Sequence, residues 1–196
     1  MRKMFFAMAA IPALLLARHA SADGSLDVTL YAQKQSMWCW AASGQMIMTY
    51  ISPANAPSQC RQANVRFGRT DCCTSPTPRA CDDGGWPEFE KYGFSSRTTS
   101  WGYALTESQV KTQIDDRRTP FAFAWGWNGG GGHIMVGTGW SQDADGTMYV
   151  TLNNPGPVGV GEEQTIPYDE FVGGDGYDHW HQMDYYDIAR NTGVTP

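Results

Sequence analysis

Residues 35–43 read Gln-Ser-Met-Trp-Cys-Trp-Ala-Ala-Ser, a cysteine held between two tryptophans and followed by two alanines. From Trp38 onward, WCWAASGQMIMTYIS is rich in Ala, Met and Gln and stops just ahead of Pro53, which predicts a helix. Cys39 then falls in the first turn. Free backbone N–H groups and the positive end of the helix dipole favour an anion there. The other four cysteines, Cys60, Cys72, Cys73 and Cys81, crowd together further along the chain and leave Cys39 alone.

The chain opens with Arg2-Lys3, an apolar run from Met4 to Ala17 too short to span a bilayer, and small residues in an A-x-A pattern at Ala20–Ala22. This reads as an export signal over 1–22, cut after Ala22, with one domain over 23–196. The expected location is secreted or periplasmic, with no membrane attachment once the signal is removed. The whole chain carries a formal charge of −6. Without Arg2, Lys3 and Arg18 the remainder is about −9, which argues against nucleic acid as a partner. Export permits disulfides. Adjacent Cys72 and Cys73 are poor partners for each other, so two pairings of the four cysteines remain open. Zinc is the rival reading, weakened by the lack of histidine in the cluster, and no metal or other cofactor is expected.

Helical patterns dominate the first half: SQCRQANVRF (58–67) with Ser58 as a cap, WPEFEKYG (86–93), and TESQVKTQIDDR (106–117) with Thr106 and Gln109 as a capping box. Strand patterns dominate the second: FAFAWGW (121–127), HIMVGTGW (133–140), GTMYVTLNN (146–154) and DHWHQMDYYDI (178–188). LDVTLYAQ (26–33) also reads as a strand. This segregation predicts an α+β domain with the two kinds of structure packed across a cleft.

A cysteine attacks as its thiolate and needs a base nearby. Outside the leader the candidates are His133, His179 and His181. His133 starts a strand straight after the NGGGG run, a place with small neighbours and open access. Asn154, at the end of the next strand, can lie beside it across a hairpin and orient its ring, and neighbouring Asn153 is the alternative. The Cys39 N–H supplies one oxyanion donor, and Gln33, six residues earlier, can supply a side-chain donor. His179 and His181 share one strand face, as a metal pair would, but without evident further ligands they read as surface or packing residues.

Gln33, WCWA around Cys39, HIMVGTGW from His133, and Asn154 stand in the order Gln, Cys, His, Asn, and CDDGG (81–85) carries a paired glycine. Together these resemble the papain-like cysteine proteases, in particular the compact bacterial branch that includes staphopain-like enzymes and effector proteases of plant pathogens. The resemblance implies an N-terminal helical lobe and a C-terminal antiparallel, barrel-like lobe with the site between them. It also implies a Cys39–His133 ion pair at rest and hydrolysis of peptide bonds within protein or peptide substrates. Gly84, Gly85 and Trp38 would contact substrate. Asn154 is followed by Pro155-Gly156 instead of the family's shielding tryptophan, so Trp140 or Trp180 is expected in that role. A monomer is expected, restrained either by a separate inhibitor or immunity protein or by the oxidising compartment. The rival readings are a peptidoglycan amidase with the same Cys–His chemistry and an inactive binding module on this scaffold.

Overall fold

The computed structural model describes residues 22–191 and 193; the expected leader through residue 21 lies outside the described residues. Helix α1 spans Cys39–Ile51. It is buried on most sides, at Trp40, Ala41, Ala42, Ser43, Gly44, Met46, Ile47 and Met48, as expected of a helix whose sequence shows no broad polar face. Small residues make that burial feasible. A Cβ on Gly44 would stand 2.8 Å from Gln62 Oε1 of helix α2 (Gln59–Phe67), so the glycine sets how close the two helices come. Ser58 precedes α2 in extended conformation but does not cap it with its side chain. Its Oγ lies 3.4 Å from Cys60 Sγ instead.

The sheet runs in the order β2-β7-β3-β4-β5-β6, with β1 on β4. The strands are β1 (Ala22–Ser25), β2 (Phe94–Thr98), β3 (Phe121–Trp127), β4 (Gly132–Gln142), β5 (Met148–Asn154), β6 (Glu162–Pro167) and β7 (His179–Arg190). All its pairings are antiparallel. On one edge of β4, β3 pairs with residues 132–137 and β1 takes over at 139–142. The helices pack on this sheet through a contiguous apolar core that includes Trp38, Trp40, Met46 and Ile47 from the helical side and Phe121, Phe123, Val136 and Leu152 from the strands. The structure is thus α+β. Among the described residues no helix is long and apolar enough to cross a membrane.

The expected capping box is present: Thr106 accepts from the Gln109 N–H at the start of α3 (Glu107–Lys111), which continues for a further turn over Thr112–Asp116. Two expectations need correction. The stretch 26–33 has the right alternation, burying Leu26 and Val28, but forms no strand. Its backbone partners are scattered: the Leu26 N–H donates to Thr138 O, Val28 O accepts from Asn153 Nδ2, and the Gln33 N–H donates to Pro155 O. It is a strap, tied at isolated points across the sheet. The helix expected over 86–93 shrinks to one tight turn, Phe89–Tyr92, closed by Gly93 in the left-handed region. Residues 84–86 lie outside any helix or strand and line a cleft.

Candidate active site

Helix α1 starts at Cys39, so the sulfur sits where the first-turn N–H groups have no helical acceptor. The N–H groups of Cys39, Trp40 and, from β4, Ile134 point at it and favour the thiolate. The Ile134 carbonyl accepts from Ser43 Oγ at 3.0 Å. Both backbone polar groups of Ile134 therefore serve α1, and they lock the helix start beside His133.

Asn154 ends β5, and its Oδ1 lies 2.7 Å from His133 Nε2. The orientation of that amide is fixed by its other contacts. The Gly156 N–H donates to Oδ1 at 2.9 Å, and Nδ2 faces Glu162 Oε1 at 3.5 Å. A backbone N–H can only donate and a carboxylate accepts, so Oδ1 is the acceptor for His133 and Nε2 carries the proton. Nδ1 of the neutral ring is then the basic nitrogen, and it has no hydrogen-bond partner among the described residues. Asn153 is buried elsewhere, donating from Nδ2 to Val28 O at 2.9 Å.

Cys39 and His133 line one cavity of about 390 Å³ together with Ser36, Met37, Gly84, Gly85, Trp86, Gly131, Gly132, Ile134 and Gln182. Burial pushes the Cys39 thiol up, against the pull of the three N–H groups. Burial likewise pushes the His133 imidazole down, partly offset by its bond to Asn154. Each group by itself is biased to its neutral form, so an ion pair needs the mutual attraction of the two charges.

Gln33 is buried beside this pair. The strap holds it through its N–H on Pro155 O (2.8 Å) and its carbonyl under the Gly159 N–H (2.9 Å). A methyl group on Gly156 would stand 3.6 Å from His133 Cε1 and 3.7 Å from Gln33 Oε1, so the three are close neighbours. Gln33 Nε2 donates to the carbonyls of Gln35 (3.0 Å) and Ser36 (2.9 Å), while its Oε1 is buried without a partner. In this conformation Gln33 shapes the loop ahead of Cys39 and has no spare N–H for an oxyanion.

The model of the family described as papain-like cysteine protease AvrRpt2 matches residues 22–167. The chain belongs to that family. No curated protein matches it. The match fits the resemblance to the compact bacterial branch, and it takes in Gln33, Cys39, His133 and Asn154. The papain-like protease continues past the match into α4 (Tyr168–Val172) and β7, which adds Gln182 to the cleft wall.

The glycines of CDDGG, Gly84 and Gly85, do line the cleft of this protease. Trp38 does not: it is 1% exposed, and its indole N–H donates to Cys81 O at 2.6 Å. It is a strut under the site, not a surface for substrate. Of the two open disulfide pairings the protease adopts Cys60–Cys73 with Cys72–Cys81, and Cys39 stays free. The tryptophan stacked on the catalytic candidate His133 is Trp127, at 6.5 Å between centroids and 21° between planes. Trp140 instead donates to Asp115 (3.0 Å), and Trp180 packs against Trp101. No local sequence signal separates Trp127 from the other tryptophans, because its place depends on the β3–β4 register.

Asp82 also escaped the sequence reading. Its carboxylate accepts from Ser36 Oγ (2.7 Å) and from the Met37 N–H (2.8 Å). With Trp38 Nε1 on Cys81 O, and Trp40 Nε1 on Asp83 O at 3.2 Å, residues 81–83 form a plate that holds 36–40. The Cys72–Cys81 bridge pins that plate.

Proposed function

We propose that this papain-like protease is an exported endopeptidase in which Cys39, His133 and Asn154 act together. The observation that carries this reading is the His133–Asn154 bond, which leaves the basic Nδ1 in the same cavity as Cys39. The Cys39 thiol passes its proton to His133 Nδ1 as the sulfur bonds to the carbonyl carbon of the scissile peptide. The carbonyl oxygen takes the negative charge, facing the N–H groups at the start of α1. Collapse of this intermediate breaks the C–N bond, and His133 returns its proton to the leaving amine. Water, deprotonated by His133, then attacks the thioester, and the released thiolate recovers the proton. Gln33 joins the oxyanion donors if substrate frees Nε2 from the Gln35 or Ser36 carbonyl.

The same proposal places the helical segments and the disulfide loop as one lobe and the sheet as the other. The cleft walls are then 36–39 and 84–86 on one side and 131–134 with Gln182 on the other. Gly84 already donates to Asp83 Oδ1 and accepts from Arg66 Nε, so the backbone of Gly85 is the part of this wall that can pair with an extended polypeptide, which suits cleavage within a chain. Export follows from the basic-apolar-small pattern over 1–22.

The test is hydrolysis of an unfolded protein such as casein by the purified chain and by Cys39→Ala. Turnover abolished in the variant, with its circular dichroism unchanged, is the expected result. Equal turnover by both would sink the assignment. Turnover confined to cell-wall peptides would move the substrate class to that of an amidase.

A further inference from the structure

One charged residue bears on the cleft from behind. Arg66, in the last turn of α2, lines no part of the cavity that holds Cys39 and His133. Its Nε donates to the Gly84 carbonyl at 3.2 Å, and its Nη1 meets Glu88 Oε1 at 3.4 Å. The guanidinium lies over the Trp40 ring at 5.4 Å and near the Phe67 ring at 5.9 Å. Trp40 follows Cys39 directly and is buried in the core. Arg66 therefore joins the glycine wall of the cleft to the first turn of α1.

The backbone bonds of that wall show what the joint is for. The Cys81 carbonyl accepts from Trp38 Nε1, the Asp83 carbonyl from Trp40 Nε1, and the Gly84 carbonyl from Arg66 Nε. The Gly84 N–H donates to the Asp83 carboxylate at 2.7 Å. Gly85 comes next, and neither its N–H nor its carbonyl has a partner among the described residues. The wall is thus bonded into the scaffold up to Gly84, and Gly85 keeps both backbone groups free beside the cavity.

Arg66 also sets how deep Gly85 sits. A Cβ at this position would run into Arg66 Nε and stand 2.8 Å from Trp40 Cε2, so the glycine backbone rests directly against both side chains. Trp40 is fixed by the core around it. Arg66 is partly exposed and held by Glu88, which Lys91 also meets at 2.9 Å. Without the guanidinium, the Gly84 carbonyl loses its tie to α2, while the Cys72–Cys81 bridge still pins the base of the plate.

We propose that Arg66 is a positioning residue for substrate: acting through Gly84 and Trp40, it sets the Gly85 backbone at the depth where it pairs with an extended polypeptide, and it takes no part in the chemistry of Cys39 and His133. This rests on the peptidase reading for its substrate. A hydrogen bond to a charged group is worth about a tenfold effect. Pairing with substrate backbone is shared by the ground state and the transition state, so the effect falls on KM.

The test follows a fluorescent octapeptide in two ways. Its binding to the full chain carrying Cys39→Ala is read by anisotropy, and its hydrolysis by the chain with Cys39 intact is read at steady state. Arg66→Met keeps an unbranched apolar stem over Trp40 and removes the donor. The expected result is a dissociation constant and a KM about tenfold higher, with kcat within about twofold. Turnover of p-nitrophenyl acetate, which has no peptide backbone, should stay unchanged. Arg66→Lys keeps a charged donor and should fall in between, and it decides the matter if urea unfolding shows that Arg66→Met does not fold. Methylating the peptide nitrogens one at a time should find a position that weakens binding, and that penalty should shrink in Arg66→Met. Unchanged peptide binding in both variants, ester turnover lost as severely as peptide binding, an N-methyl penalty indifferent to Arg66, or no peptide binding by the chain that retains Arg66 would each overturn the proposal. Tight binding of the octapeptide without any hydrolysis by the Cys39 chain would instead overturn the peptidase reading.

Discussion

Asp82→Ala should weaken catalysis more than it weakens the fold. The carboxylate holds two consecutive residues of the loop ahead of Cys39, through Ser36 Oγ at 2.7 Å and the Met37 N–H at 2.8 Å. Hydrogen bonds to a charged group contribute about 1.5–3 kcal/mol when shielded, and about 1 kcal/mol each where water competes, as it does here. Losing both therefore removes about 2 kcal/mol of bias towards the observed loop. If that conformation is the one that supports attack, the rate falls by up to about thirtyfold, since 1.36 kcal/mol is a factor of ten. The loss should appear in kcat more than in KM, because Asp82 braces the loop from behind. Asp82→Asn keeps one acceptor oxygen and should fall in between. A double-mutant cycle with Ser36→Ala should show coupling of about 1 kcal/mol. The assay is steady-state hydrolysis of a fluorogenic peptide alongside urea unfolding of each variant. An Asp82→Ala enzyme within threefold of wild-type kcat would refute the reasoning, whatever its stability.

Alkylation of Cys39 should depend on His133. In His133→Ala, burial dominates, so the midpoint of labelling against pH, read by intact mass, should lie above the ordinary thiol value of about 8.5; labelling that stays fast at pH 6 in that variant would contradict this. The depressed His133 pKa has its own pH signature. It contributes stability present above the ordinary imidazole value of about 6.5 and lost as pH falls through the folded value, so wild type should lose more stability than His133→Ala on acidification, by urea unfolding. Asn154→Ala should lower kcat about tenfold, the worth of one oriented hydrogen bond of about 1.4 kcal/mol, and Asn153→Ala should instead lower the urea midpoint by freeing the strap at Val28. Asp184→Ala should destabilise the fold by about 3 kcal/mol, because it strands the buried His181 and the Leu105 N–H together, and a loss below 1 kcal/mol would contradict that.

Short-range signals were legible in the sequence wherever a few consecutive residues decide the outcome. The start of α1 at Cys39, the Thr106–Gln109 capping box, the continuously buried strands β3 and β4 and the alternating strand β5 all follow from local sequence. The Gln, Cys, His, Asn order follows from the residues themselves, and the family it suggested is the one to which the chain belongs. Strands β2 and β6 gave little signal, because each is short and half exposed and becomes a strand only by pairing with β7 or β5.

What only the tertiary structure decided depends on partners far apart in the chain. The strap at 26–33 alternates as a strand does, yet its backbone finds single carbonyls and side chains instead of a neighbouring ladder. Which asparagine meets His133 depends on the β4–β5 register, since successive residues of a strand face opposite sides. The disulfide pairing and the Asp82 clamp join residues that meet only when the 71–83 loop folds back on α2 and on the segment ahead of α1, and the stacking of Trp127 on His133 depends on the β3–β4 register. Sequence specified the reactive group and the helix end that carries it. The base, its orienting amide and the walls around them become a site because Ile134 uses both of its backbone groups to fasten that helix beside His133.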